Sequence, residues 1–302
     1  QRGSIFKNLS LPFKVMSSMA RALSLLSSFK PDVVVGVGGY ASGPLLYAAA
    51  LKGIPYIIQE QNSYAGITNK LLSKKASLIC VAFDEMDRFF PASKILKTGN
   101  PVRMDVVDIK DKRHAGAALL KLDPKKKTIL VTGGSLGSLT LNKSIQKHID
   151  QLVEKNIQVI WQTGKYYFNS INESIGNRYP GVLVLEFLNK MDLAYAAADI
   201  IISRAGAGTI AELCLIKKPV ILVPSPNVAE DHQTKNAMAL VKNNAAVLIA
   251  DRSAEDTLVN EAIALINDKD KCAMLSVNIG KMALPGSDEI IAHEVLKLAG
   301  NI

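Results

Sequence analysis

The sequence predicts an α/β protein built from two doubly wound parallel-sheet domains. Short apolar runs of strand length alternate with helical segments along almost the whole chain. The strand-like runs are apolar at consecutive positions, which is typical of parallel strands covered by helices on both faces. The alternating pattern also restarts after a polar segment at 104–126. These three observations together predict two separate sheets.

The first half begins with a helical segment and then predicts four strands. The helix is LPFKVMSSMARALSLLSSFK, and the strands lie in PDVVVGV, IPYIIQE, LICVAF and ILKTG. A helix in ASGPLLYAAALKG ends at Gly53, as expected for glycine just past a helix end. We expect residues 1–104 to form the N-terminal domain.

The second half predicts six further strands, in KTILVTG, IQVIWQTG, VLVLEFL, DIIISRAG, PVILVPS and AAVLIAD. The segment LNKSIQKHIDQLVEKN is amphipathic, with Leu141, Ile145, Ile149 and Leu152 on one face. We expect residues 105–286 to form the second domain, and a final helix at 287–302 that can pack on either domain.

The composition argues against several classes of protein. The chain has 302 residues and no apolar run of the about 18 residues that a transmembrane helix needs. The net charge is +9, which favours anionic partners, but the aromatic residues form no stacking stripe for nucleic acid. The three cysteines lie far apart and the four histidines show no metal-ligand spacing, so we expect neither a disulfide framework nor a metal.

Glycine-rich turns follow several of the predicted strands, and parallel sheets bind ligands at the carboxyl ends of their strands. With two sheets, the cleft between them is the expected site. In VTGGSLGS, three glycines precede a helix, so backbone amides can face a phosphate and Ser135 can add a hydroxyl donor. The alternative is a tight turn only, since the spacing departs from G-x-G-x-x-G.

The turn RAGAGT leads into a helix whose first turn we expect to carry Glu212. This carboxylate can complement the helix dipole or accept two hydrogen bonds from the hydroxyls of a ribose. In EDHQTKNA, the polar residues Asp231, His232 and Gln233 open another helix. They can cap that helix or contact a ligand.

The first half adds two polar candidates. Asn62 follows a strand in QEQNSYAG and can both donate to and accept from sugar hydroxyls. Arg103, in GNPVR at the junction of the halves, can meet a diphosphate or form an interdomain salt bridge.

In order and spacing, the motifs GVGGYASGP, EQNSYAGITNK, GNPVR, GGSLGS, EFLNKM, SRAGAGTIAEL and EDHQTKNA resemble the MurG-type N-acetylglucosaminyltransferases. The resemblance implies the GT-B fold, in which two Rossmann-like domains face a cleft. It also implies inverting transfer of GlcNAc from UDP-GlcNAc to lipid I, giving lipid II for peptidoglycan, with no cofactor and no bound metal.

The resemblance implies which residues contact UDP-GlcNAc. Glu212 corresponds to the acid on the ribose diol, Leu188 to the position whose backbone reads uracil, and Gln233 to the glutamine of the donor-sugar pocket. The full set is Asn62, Arg103, Ser135, Leu188, Ala207, Gly208, Thr209, Ile210, Ala211, Glu212, His232 and Gln233.

One part of the family pattern has no counterpart in this sequence. The family begins with a strand and a G-G-T-G-G-H loop whose histidine is a candidate general base, and the sequence does not begin with Met. We therefore expect an N-terminally truncated chain whose catalytic base lies in that loop.

A lipid acceptor implies a peripheral enzyme at the cytoplasmic face of the inner membrane, with cell-wall synthesis proteins as potential partners. In the first helix, Phe13, Met16, Met19, Leu23 and Leu26 share one face near Lys7, Lys14 and Arg21. This face can pack on the sheet, or its exposed part can enter the interface of an anionic membrane.

Three rival functions stay open at this point. Another GT-B enzyme, such as a glycolipid glycosyltransferase or a UDP-GlcNAc 2-epimerase, would share the glycine turns. A dinucleotide-dependent oxidoreductase would need G-x-G-x-x-G and an acid about 20 residues later. The third is a nucleotide-sugar-binding fragment that is inactive without the N-terminal loop.

Overall fold

The computed structural model describes residues 11–300, and at positions 11 and 12 only the backbone. The chain divides into two compact units. One contains the chain up to Asn100 together with the segment from Gly286 onward, and the other runs from Pro101 to Pro285. The last helix therefore belongs to the same unit as the N-terminal part of the chain.

The first unit is a four-stranded parallel sheet with helices around it. Its strands are β1 (Val34–Gly36), β2 (Tyr56–Glu60), β3 (Leu78–Val81) and β4 (Ile95–Lys97), paired in that order. Its helices are α1 (Leu11–Phe29), α2 (Gly39–Lys52), α3 (Ile67–Leu72) and, at the end of the chain, α14 (Ser287–Leu298). Gly53 ends α2 in the left-handed conformation, as the sequence predicts.

The second unit is a six-stranded parallel sheet. Its strands are β5 (Thr128–Thr132), β6 (Gln158–Gln162), β7 (Val182–Leu185), β8 (Ile200–Ser203), β9 (Val220–Leu222) and β10 (Val247–Leu248). Its helices are α4 (Met104–Val107), α5 (Arg113–Leu119), α6 (Leu139–Lys147), α7 (Ile149–Glu154), α8 (Phe168–Ser174), α9 (Met191–Ala197), α10 (Ala207–Ile216), α11 (His232–Val241), α12 (Asp251–Asn267) and α13 (Lys269–Lys281).

The strand order in this sheet is β7-β6-β5-β8-β9-β10, which is the doubly wound order of a Rossmann fold. Every residue of β5, β6 and β8 is buried, so helices cover both faces of the central strands. The predicted fold class, two parallel-sheet α/β domains, is confirmed.

Helix α1 divides into a packed half and an exposed half. Ala22 and Leu26 are buried, and Met19 and Leu23 pack against the same core. Phe13 and Met16, by contrast, are 76% and 69% exposed. Only the second half of the predicted apolar face therefore packs on its unit. None of the helices within residues 11–300 is both long and apolar enough to cross a membrane.

The GGSLGS turn after β5 packs tightly against the end of β6. A Cβ added to Gly137 would lie 2.0 Å from the carbonyl oxygen of Thr163, and Gly137 has a φ of +81°. Gly134 has a similar φ of +84°, but a Cβ there would meet nothing within 4 Å. Glycine is required at both positions by conformation, and at Gly137 also by space.

We predict that Gly137→Ala destabilises the protein by at least about 2 kcal/mol more than Gly134→Ala, measured by urea unfolding. Both variants strain a left-handed backbone, but only Gly137→Ala forces the turn away from β6. Equal losses of stability would contradict this account of the turn.

Candidate functional site

The strand order of the second sheet reverses between β5 and β8. These two strands are direct neighbours, with Thr132 beside Ser203 at their carboxyl ends. Right-handed connections leave them toward opposite faces of the sheet, so a crevice opens between the turns that follow. The turn after β5 leads into α6 and the turn after β8 leads into α10, so two helix N-termini lie at this edge.

Most of the expected site residues in the second unit follow the carboxyl ends of its strands. Ser135 follows β5 and is exposed, Leu188 follows β7, and the segment 207–212 follows β8. His232 and Gln233 follow β9. Arg103 instead precedes α4, and Asn62 follows β2 in the first unit.

Glu212 lies in the second turn of α10, so the expectation that it occupies the first turn is wrong. Gly206, with φ −67° and ψ 144°, precedes a helix that begins already at Ala207. The interaction of an acid with the helix dipole is concentrated in the first turn, so the dipole does not account for the position of Glu212. Its Oε2 instead accepts a 2.8 Å hydrogen bond from the hydroxyl of Tyr195 on α9.

Three influences act on the pKa of the Glu212 carboxyl, and together they raise it above its ordinary value. Burial raises its pKa, while the hydrogen bond from Tyr195 and the positive charge of Arg103 lower it. Arg103 is 79% exposed and lies 3.9 Å from Asp105, its ion-pair partner. The guanidinium of Arg103 therefore stands near Glu212 and is open to solvent.

Arg204, in the turn after β8, ties together the segments that follow four strands. Its Nη1 donates to the carbonyl oxygens of Val223 and Pro224 and to Asp251 Oδ1, at 3.0, 3.1 and 2.5 Å. Its Nη2 donates to Ser138 Oγ at 2.6 Å. Arg204 therefore holds these segments together at the carboxyl edge of the sheet.

Gln233 joins the segments after β8 and β9. Its Oε1 accepts hydrogen bonds from the backbone amides of Ala205 and Ser225, at 3.2 and 2.8 Å. His232 Nδ1 lies 2.7 Å from the carbonyl oxygen of Ala229. Asp231 has a left-handed backbone and makes no side-chain cap, so the simple capping interpretation of these residues is wrong.

Gln162, which the sequence analysis missed, links two other segments at this edge. Its Oε1 accepts from the backbone amide of Leu188 at 3.0 Å, and its Nε2 donates to the carbonyl oxygen of Gly134 at 2.9 Å. The signal that was present is a polar residue that ends an otherwise apolar strand. Leu188 itself is buried, with its amide occupied by Gln162.

In the first unit, a buried carboxylate shapes the loop that carries Asn62. Glu60 is 4% exposed and accepts from the amide of Asn62 at 3.1 Å, the amide of Gly66 at 3.0 Å and Asn69 Nδ2 at 2.8 Å. Because the Glu60 carboxylate accepts all these hydrogen bonds from its own loop, its role is to hold the conformation of that loop. Asn62 is only partly buried.

Fold and site together define a protein with two parallel-sheet units and a Rossmann-type switch-point crevice. Comparison with known families identifies it further. The glycosyltransferase family 28 C-terminal domain matches residues 128–283, and the glycosyltransferase family 28 N-terminal domain matches residues 1–81. The chain belongs to glycosyltransferase family 28.

Individual relatives match over nearly the whole chain. The chain is 52% identical over 299 residues to the UDP-N-acetylglucosamine--N-acetylmuramyl-(pentapeptide) pyrophosphoryl-undecaprenol N-acetylglucosamine transferase of Parabacteroides distasonis, covering 98% of this chain and 81% of that protein. It is 53% identical over 303 residues to the protein of the same name from Bacteroides thetaiotaomicron, covering 99% and 81%.

Solved structures agree with this assignment. The crystal structure of Acinetobacter baumannii MurG is 30% identical, with a TM-score of 0.78 over 95% of this chain and 79% of that chain. UDP-GlcNAc 2-epimerase from Neisseria meningitidis, bound to UDP-GlcNAc, is 18% identical with a TM-score of 0.67, over 96% and 83%. The second likeness shows the fold alone. The resemblance to the MurG-type enzymes is confirmed.

We predict that Arg204→Lys lowers the free energy of unfolding by about 2 kcal/mol or more, because a lysine cannot replace the guanidinium fork that serves four acceptors. The exposed Arg103→Lys is the matched control and is expected to change stability by less than about 0.5 kcal/mol. Chemical denaturation of both variants provides the measurement. An Arg204→Lys variant as stable as the control would contradict the bracing role.

Proposed function

We propose that this chain transfers GlcNAc from UDP-GlcNAc to the 4-hydroxyl of the muramoyl residue of lipid I, producing lipid II for peptidoglycan. The observation that carries the proposal is 52% identity, over 98% of the chain, to a transferase named for this reaction. The glycine turns at the strand ends of the second unit, together with Glu212 on α10 and Arg103 before α4, supply the matching chemistry. The rival functions that share the fold lack relatives of comparable identity among the matches described above.

The nucleoside is proposed to bind along the start of α10 and the segment after β7. Glu212 accepts from the ribose hydroxyls, and the backbone at Leu188 reads the uracil. Because the Leu188 amide already donates to Gln162, its carbonyl oxygen is the group we assign to the base. The contacts from α10 come from Ala207, Gly208, Thr209, Ile210, Ala211 and Glu212.

The diphosphate and the sugar are assigned to the remaining residues. Backbone amides of the GGSLGS turn, the hydroxyl of Ser135 and the guanidinium of Arg103 face the diphosphate. Asn62, His232 and Gln233 contact the donor sugar. The Oε1 of Gln233 is already occupied by two backbone amides, so its Nε2 is the group that donates to a sugar hydroxyl.

The proposed reaction inverts the configuration at the anomeric carbon. The acceptor oxygen attacks that carbon opposite the diphosphate, the bond from the carbon to the UDP oxygen breaks, and a base removes the hydroxyl proton. Negative charge grows on the departing diphosphate. Helix N-termini and Arg103 stabilise this charge.

We also propose that the exposed half of α1 attaches the protein to the cytoplasmic face of the membrane that carries its lipid acceptor. Phe13 and Met16 are exposed, as is the neighbouring Lys14. Apolar side chains of this kind enter the interface while basic groups meet anionic headgroups. Lys7, assigned to the same surface from the sequence, lies outside the described residues.

We predict that Glu212→Ala weakens UDP binding at least about tenfold in calorimetric titration, because two charge-assisted hydrogen bonds are lost. With UDP-GlcNAc and a soluble lipid I analogue, the wild-type chain is expected to form the disaccharide product. The control is Glu173→Ala, which removes an exposed acid from α8.

Unchanged UDP affinity in Glu212→Ala would refute the assignment of this acid. Conversion of UDP-GlcNAc to its 2-epimer, without transfer, would refute the proposed function.

We predict that Phe13→Ser combined with Lys14→Glu reduces sedimentation with vesicles containing about 30% anionic lipid by several-fold. Phe29→Ser combined with Lys30→Glu is the matched control, since both side chains are exposed at the opposite end of the same helix. Equal binding by both variants would contradict the proposal that the exposed half of α1 attaches the protein to the membrane.

A further inference from the structure

Tyr195 is a buried phenol that the reaction described above does not use. It lies on α9, is 1% exposed, and donates its hydroxyl to Glu212 Oε2 at 2.8 Å. A buried tyrosine hydroxyl needs a partner, and this one is satisfied by an acid on a different helix. The pair therefore connects α9 to α10 at the position assigned to the ribose.

The neighbouring helices fix the position of α9, and with it the phenol. The backbone of Gly116 on α5 approaches so closely that an added Cβ would lie 2.3 Å from the carbonyl oxygen of Leu193. At the start of α9, Asp192 forms a salt bridge with Lys112, with 3.2 Å between Oδ2 and Nζ. Tyr195 therefore projects from a helix that is held by close packing and by an ion pair.

A carboxylate alone has little preference for one rotation of its two oxygens, because the terminal torsion of a glutamate is broad. A ribose diol presents two neighbouring hydroxyls and needs both acceptor positions at a defined orientation. The hydrogen bond from Tyr195 occupies one lone-pair direction of Oε2 and so restricts this rotation. Oε1 and the remaining lone pair of Oε2 then face away from the phenol.

We propose that Tyr195 is a positioning residue that holds the Glu212 carboxylate in the orientation required by the ribose diol of the donor nucleotide. This inference rests on the proposed function, because it requires that Glu212 receive the ribose. Tyr195 itself does not touch the substrate. It acts through Glu212 and thereby contributes to selection of ribose over 2′-deoxyribose.

The same hydrogen bond affects the ionisation of Glu212. Burial raises the pKa of Glu212, and the Tyr195 hydroxyl and Arg103 oppose that rise; Arg103 in turn pairs with Asp105. Helices α4, α11 and α13 also pack against α10, but it is burial, Tyr195 and Arg103 that change the pKa of Glu212. Burial together with Glu212 raises the pKa of Tyr195 itself, so the phenol stays a donor across the working range.

The test compares UDP binding by the wild-type chain, Tyr195→Phe, Glu212→Gln and the double variant between pH 5 and pH 8. We expect Tyr195→Phe to weaken UDP binding about tenfold at pH 7 and to reduce the preference for UDP over 2′-deoxy-UDP. Losing the phenol donor raises the pKa of Glu212 in Tyr195→Phe. As the pH is lowered, UDP affinity should therefore begin to fall at a higher pH in this variant than in the wild type. Titration of the diphosphate is common to all variants and cancels in the comparison.

A control variant and the double variant keep the inference falsifiable. Tyr179→Phe is the control, because it removes another phenol whose pKa is raised by a neighbouring carboxylate, that of Asp150, before β7. The double variant Tyr195→Phe/Glu212→Gln should bind UDP no more weakly than Glu212→Gln alone, because without the carboxylate Tyr195 has nothing to orient. The urea unfolding of each variant is measured alongside, so that a loss of folding is distinguished from a loss of binding.

The outcomes separate the two proposals. A wild-type chain that does not bind UDP refutes the proposed function. If the wild type binds and Glu212→Gln weakens binding, then an unchanged affinity and pH profile in Tyr195→Phe refutes the role of Tyr195. Additive losses in the double variant refute it equally, since they would show that Tyr195 does not act through Glu212.

Discussion

The pairing of β5 with β8 is the constraint on which the second unit depends. Because the strand order reverses there, right-handed connections carry the chain to opposite faces, and the two following turns cannot close over each other. The crevice is thus a consequence of topology. The glycines of GGSLGS and the residues at the start of α10 line it because they directly follow these two strands.

Polar side chains then hold this open edge in one conformation. Arg204 and Gln233 join the segments after β8, β9 and β10, while Gln162 joins those after β5 and β7. These hydrogen bonds are made mostly to backbone groups that would otherwise be left unsatisfied at the strand ends. A site for a charged, flexible nucleotide sugar benefits from such fixed groups, because little reorganisation is needed when the ligand binds.

The sequence predicted the sheets well, because apolar runs and glycine turns are local signals. It placed the strand ends, but it left open how much of the apolar face of α1 packs on the sheet, and in the structure only the second half does. It did not predict the bracing contacts: Tyr195 and Glu212 are 17 residues apart, and Leu188 and Gln162 are 26 apart. Such pairs depend on tertiary packing, which periodicity does not encode.

One local error and one local omission have physical causes as well. Glu212 was expected in the first helical turn. Helix α10 begins directly after Gly206, earlier than the sequence analysis expected, so Glu212 falls in the second turn. The polar segment at 104–126, for which no element was predicted, contains α4 and α5, and α5 approaches α9 closely at Gly116. Short helices of this kind depend on packing more than on intrinsic propensity.

The central claim is that the acid on α10 binds the ribose of UDP-GlcNAc, and a crystal structure with UDP bound tests it most directly. The account predicts both ribose hydroxyls within about 3.2 Å of the Glu212 carboxylate, with the Tyr195 hydrogen bond retained. A ribose bound elsewhere, with Glu212 contacting only protein groups, would contradict it.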